Sequence, residues 1–151
     1  MKLRFLCHAR RHWLMQDAEA TVHTLRQLQG IAGVALARAD MDKAIRLAGS
    51  SLECAELLLL THKRRDAASI TAFRQSAELL ASALETSGSR ILACQVTGGS
   101  IATLQGLDSA TDLSGPVYAA CVELLQARHE QAQQDDHATT LPRRLGSGVQ
   151  P

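Results

Sequence analysis

Hydrophobic residues recur every three or four positions along most of the chain, the spacing that keeps a stripe on one face of an α-helix. From Trp13 to Arg38 the stripe is Leu14, Ala18, Val22, Leu25, Leu28, Ala32 and Leu36, which predicts a first helix. Gly30 and Gly33 lie inside it. Each weakens a helix by about 1 kcal/mol relative to Ala, so a kink, a break or the close approach of another helix is expected there. Asp40 is placed to cap a second helix through its side-chain oxygen, and Met41, Ala44, Ile45, Ala48, Leu52, Ala55 and Leu59 carry its stripe to about His62. Asp66 opens a third helix with Ile70, Phe73, Ala77, Leu80, Ala81 and Leu84 on one face, and Gly88 ends it.

Residues 89–113 are ambiguous. Ile91–Val96 and Ile101–Leu104 flank Thr97-Gly98-Gly99-Ser100, a pattern that fits two short strands around a Gly-Gly turn, and fits a broken helix nearly as well. A β-hairpin over 91–104 is the expectation carried forward. Ser114-Gly115-Pro116 starts a fourth helix, with Val117, Cys121, Leu124 and Leu125 on its apolar face and an end near Gln133. After Gln134 the chain is polar, contains Pro and Gly and lacks a periodic apolar set, which predicts a disordered tail over 135–151. The organisation read from the pattern is a basic arm over 1–12, one helical domain over 13–134 and this tail.

Composition strengthens the helical reading. Apolar residues make up 46% of the 151 and aromatics only 3%, so the core must be packed mainly with Leu and Ala, an alphabet of helix formers whose small members let helix axes approach closely. The fold class is therefore all-α, as antiparallel helical hairpins or an irregular bundle. Cys7, Cys54, Cys94 and Cys121 are far apart and form no C-x-x-C pair, so they read as reduced thiols of a cytoplasmic protein, with Cys54 and Cys121 in the core. Arg4 interrupts the apolar start of the chain and basic residues follow, which argues against an export signal, and no apolar run approaches the roughly 20 residues of a membrane-spanning helix.

Net charge is only +1, but residues 1–65 hold 11 Lys and Arg against 6 Asp and Glu, while residues 66–151 hold 5 against 9. Such a polarity favours an acidic partner surface more than nucleic acid, which demands a stronger basic field. The candidate partner-binding residues are Arg10, Arg11, Arg38, Lys63, Arg64 and Arg65. Lys63-Arg64-Arg65 also has a simpler role, as a positive cap on the carbonyl end of the second helix.

Known catalytic constellations are missing: there is no Walker loop, no G-x-G-x-x-G, no H-E-x-x-H and no G-x-S-x-G. His8 and His12, four apart, share a helical face but lack a third ligand and sit among arginines, so no metal is assigned, and no cofactor. Glu53 and Glu56, three apart, read as ordinary solvated side chains.

Leu28, Ile31, Ala32 and Ala35, then the turn Ala39-Asp40, then Ala44, Ala48, Ser51 and Leu52, resemble one tetratricopeptide repeat over residues 25–58. Ala32, Ala44 and Ser51 take the small positions where the paired helices touch, and Leu28 and Ile31 the large ones. Ala35 stands where the pattern has an aromatic and Glu56 where it has a proline, and no second repeat follows at the same period. The resemblance implies stacked helical pairs that offer a groove to a partner protein.

The reading that unites these features is a non-enzymatic protein–protein interaction module, a bacterial-type adaptor, chaperone or regulatory protein. Two alternatives stand beside it: a helical regulator that touches nucleic acid through Arg4 and the basic residues above, and a small enzyme whose site is assembled from residues distant in sequence. Surplus Leu stripes also admit pairing between copies of the chain.

Overall fold

The structure, a computed structural model, describes residues 3–108 and 115–140. They form six helices: α1 (His8–Gln16), α2 (Ala18–Ala37), α3 (Met41–Leu60), α4 (Ala67–Thr86), α5 (Arg90–Asp108) and α6 (Pro116–Thr140). There is no strand among the described residues.

From α2 onward each helix packs on the next, and α4 also touches α2 and α6, while the backbones of α3 and α5 stay apart. The result is two layers. Helices α2, α4 and α6 form one; α3 and α5 lie on the other, separated by a gap floored by α4. Helix α1 rests on α2 and α3.

The core follows the Leu/Ala alphabet. Phe73 on α4 is its one fully buried aromatic, in one cluster with leucines such as Leu25, Leu57 and Leu80 and alanines such as Ala48, Ala55 and Ala77. Helix α3 is the most enclosed element, with Ala48 through Ala55 buried without interruption. The hydroxyls in that run, Ser50 and Ser51, donate back to the carbonyls of Arg46 and Ala48 and so enter the interior without an unmet bond. No helix among the described residues is long and apolar enough to cross a membrane.

Several expectations need correction. The first helix breaks at Asp17, not at Gly30 or Gly33: the Asp17 side chain accepts from the Ala20 N–H and caps α2, while α1 takes in His8–His12. Asp40 makes no side-chain cap bond. Its N–H instead donates to Ala35 O across a tight α2–α3 turn in which Ala39 takes the left-handed conformation, φ 59°, a position that usually favours glycine. Residues 91–104 are not a hairpin of strands but the middle of α5. Its hydroxyl residues bond inside the helix, Ser100 donating to Val96 O and Thr103 to Gly99 O. Gly98 is where α6 comes close, since a side chain there would press on the His129 ring. Helix α6 runs past Gln133 to Thr140, and the rest of the expected tail, 141–151, lies outside the described residues, as do 109–113 of the ambiguous stretch and Ser114 of the expected fourth-helix start.

Other expectations agree with the structure. Asp66 caps α4, accepting from the Ser69 N–H at 2.8 Å, and α4 ends at Gly88 with φ +89°. Cys54 and Cys121 are buried. Burial pushes the Cys54 thiol up to about 12, with the nearby Arg10 charge opposing it and Glu53 adding to it.

Two predictions follow from these helix ends and interiors. Nothing lies within 4 Å of a side chain added at Gly30 or Gly33, so Gly30→Ala and Gly33→Ala should each stabilise the fold by up to about 1 kcal/mol in chemical denaturation, whereas Gly88→Ala, at positive φ, should destabilise it by a similar amount. The Asp66 carboxyl is held below its ordinary range, first by the Ser69 N–H and further by the Ser69 hydroxyl and the Arg64 charge. A depressed folded value makes the cap's charge contribution complete above the unfolded value of about 4 and lost as pH falls through the folded one. Asp66→Ala should therefore cost about 1 kcal/mol near neutral pH and distinctly less near pH 3. Urea unfolding at both pH values checks this.

Candidate functional site

The gap between α3 and α5 is a largely apolar cavity of about 320 Å³. One wall is the α3 stripe Gly49, Leu52, Glu53, Glu56 and Leu60, and the other is the α5 stripe Gln95, Val96, Gly99, Ser100 and Thr103. Both repeat at helical spacing, so each wall is one continuous face. Leu80 of α4 forms the floor, and Leu3 and Phe5 enter at one end. The groove thus has an apolar bottom, two carboxylates on one side and hydroxyl and amide groups on the other. A second cavity is more polar, lined by Glu85, Arg90, Arg128 and Asp135 against α6.

At the occupied end, residues 3–7 run in non-helical conformation along α3. The Phe5 ring lies directly on Gly49, where any Cβ would overlap it. Glu53, one turn further along α3, is 4% exposed, which overturns the expectation of a solvated side chain. One carboxylate oxygen, Oε1, accepts the backbone N–H groups of Phe5 and, at 3.3 Å, Leu6; the other, Oε2, receives Arg11 at 3.3 Å. A buried carboxylate without partners would cost several kcal/mol, so these three donors are what allow Glu53 to sit in the interior. Further along, the Leu14 carbonyl accepts from the Thr21 hydroxyl at 2.7 Å and lies 2.9 Å from His62 Nε2, which fixes the end of α1 against the end of α3.

The six basic residues singled out from sequence do not converge. Arg11 is turned inward onto Glu53. Arg64 pairs with Glu19 of α2, and Arg65 donates to Leu59 O, in keeping with a cap on the end of α3. Lys63 occupies the left-handed turn with φ 52°. Arg38 caps the other end of the α2–α3 pair, about 30 Å away along a 20-residue helix. Arg10 is exposed on α1, within electrostatic reach of Cys54. His8 and His12 stack with ring centroids 6.5 Å apart, and no group of three His, Cys, Asp or Glu among the described residues is arranged to hold a metal ion.

Sequence reasoning missed Gly49 and the burial of Glu53. The visible sign was the triplet Gly49-Ser50-Ser51 in the middle of an otherwise strong helix, where small residues serve only if something packs close.

Glu53→Ala leaves Arg11 and two N–H groups without their acceptor and should destabilise the protein by about 2–3 kcal/mol. It should also speed amide exchange at Phe5 and Leu6 far more than at α6. Equal effects at both places in hydrogen-exchange mass spectrometry would contradict a local anchoring role.

Comparison with protein-family models, with curated proteins and with solved structures finds no match to this chain.

Proposed function

We propose that the chain is a protein-interaction module that receives a segment of a partner protein in the groove between α3 and α5. The observation that carries this reading is the groove itself: two helix faces that flank one floor with their backbones apart, apolar below and polar at the rims. Sites of this kind accept side chains below and hold the main chain with hydrogen bonds above.

The order of helix packing supports a kinship with tetratricopeptide-like stacking, because each helix packs on the next and alternate helices share a layer. Within the resembling stretch, Ala32, Ala44, Ala48 and Ser51 are buried at helix contacts. Ile31 departs from it, being 47% exposed, and the helices of 20 residues are longer than a 34-residue repeat accommodates. What supports an adaptor, chaperone or regulatory role is thus the groove more than the repeat pattern. The nucleic-acid reading is weakened by the commitment of Arg11 and Arg64 to carboxylates.

Selection of displayed random peptides on the full-length protein, followed by amide chemical-shift mapping, tests the proposal. Selected peptides should perturb Leu52, Val96 and Thr103. Gly99→Trp, which fills the groove from α5, should weaken them at least tenfold, while Leu124→Ala on the exposed side of α6 should not. Failure to select any peptide, or shifts confined to another face, would refute a docking role for the groove.

A further inference from the structure

We infer that the N-terminal segment, residues 3–6, is a built-in occupant of the groove and that it displays the chemistry of the partner: an extended, basic segment anchored by an aromatic side chain, which binds by displacing it. The inference rests on the groove reading above and adds both the ligand class and its regulation.

Four observations carry it. The segment is held as a peptide ligand is held, not as a helix of the fold: it is non-helical, and two of its backbone N–H groups are taken by the single carboxylate of Glu53. Main-chain recognition of this sort accepts any segment able to present successive N–H groups, so it does not require the chain's own sequence. The aromatic anchor has a dedicated seat, because Gly49 stands in the interior of α3 where a side chain would collide with the Phe5 ring. A glycine there costs the helix about 1 kcal/mol, which the ring contact offsets.

The groove also continues beyond its occupant. From Gly49 and Glu53 the wall runs on past Glu56 to Leu60, which is 47% exposed, so a longer segment can cover more apolar surface than residues 3–6 do. Finally, charge fits: Glu53 and Glu56 line the wall, and residues 3–6 carry a cation, Arg4, among apolar residues. Arg11, on α1 and outside the segment, stays beside Glu53 when residues 3–6 leave, so the carboxylate keeps its ion pair during exchange.

An intramolecular occupant competes at an effective concentration on the order of millimolar, so it lowers the apparent affinity of any partner by the ratio of closed to open forms. The segment therefore sets a threshold for binding.

The test uses the full chain and a synthetic peptide, Met-Lys-Leu-Arg-Phe-Leu, with a fluorophore at its C-terminus, followed by anisotropy. Phe5→Ala empties the aromatic seat without altering the groove. This variant should bind the peptide at least tenfold more tightly than the unaltered chain, and adding Gly49→Leu should abolish the gain. A peptide with Ala in place of Phe should not bind. Equal affinity for both chains, or no binding to a Phe5→Ala chain that retains its helical circular dichroism, would overturn the inference. Where Phe5→Ala fails to fold, the unaltered chain answers the question: saturating peptide should accelerate amide exchange at Phe5 and Leu6, and bound peptide with unchanged exchange there refutes displacement. Sedimentation that shows a dimer lost on Phe5→Ala would assign the occupant to a second copy and overturn the intrachain seating. Peptides selected from a random library that map to the groove while this peptide fails would leave the docking site standing and reject the occupant alone.

Discussion

A carboxylate buried in the most enclosed helix is the constraint on which much of this architecture turns. Glu53 sits where water cannot solvate it, and a charge in that position must be met by donors from the protein itself. None of them comes from its own helix. They come from the main chain at Phe5 and Leu6 and from Arg11, so the placement of residues 3–16 against α3 follows from the need to satisfy one side chain. Replacing the whole set by apolar residues of similar volume would often be neutral or stabilising in energy. What the charged set provides instead is register: it aligns the segment so that Phe5 reaches Gly49 and Leu14 reaches Thr21 and His62.

The Leu/Ala alphabet explains why the remainder can be so regular. With four aromatic residues in the chain and one at the centre of the core, helices meet through small side chains and can be laid side by side as near copies of twenty residues. That regularity has a geometric consequence. When each helix packs on the next and α4 touches both α2 and α6, the layer opposite must open, and the opening between α3 and α5 is the groove. It is a result of how the layers stack, not of a loop shaped around a ligand.

Legibility in the sequence divides along the same line. Periodicity alone placed α3 and α4 within a few residues, because each has a long stripe and a defined end such as Asp66 or Gly88, and it placed the C-terminal end of α2 while missing the break at Asp17. It failed at α5, where Gly98 and Gly99 interrupt two short apolar runs. The decision there lies in tertiary contact: Gly98 gives room to His129 of α6, and the His129 ring lies 2.9 Å from the Thr97 hydroxyl, a pairing 32 residues apart that no local pattern contains. Gly30 and Gly33 likewise suggested a break, but α2 is continuous over Ala18–Ala37. The candidate site was less legible still. Basic residues drew attention by their number, yet two of them are spent on carboxylates, and the acidic residue that matters, Glu53, resembles any solvated glutamate until its burial is known.

This asymmetry has a physical origin. A helix reports its buried face through repetition, and repetition is visible in one dimension. A docked segment reports itself through single contacts between residues 42 to 48 positions apart, as Arg11 and Phe5 make with Glu53, and each end of such a contact is unremarkable alone. Leu3, Phe5 and Leu6 are apolar in a stretch with no helical partner, and Gly49 is a gap in a helix with no local need for one. Each anomaly is the complement of the other, a side chain without a place and a place without a side chain. Pairing such local misfits across a sequence is therefore the route by which a groove and its resident segment become readable where periodicity has nothing to say.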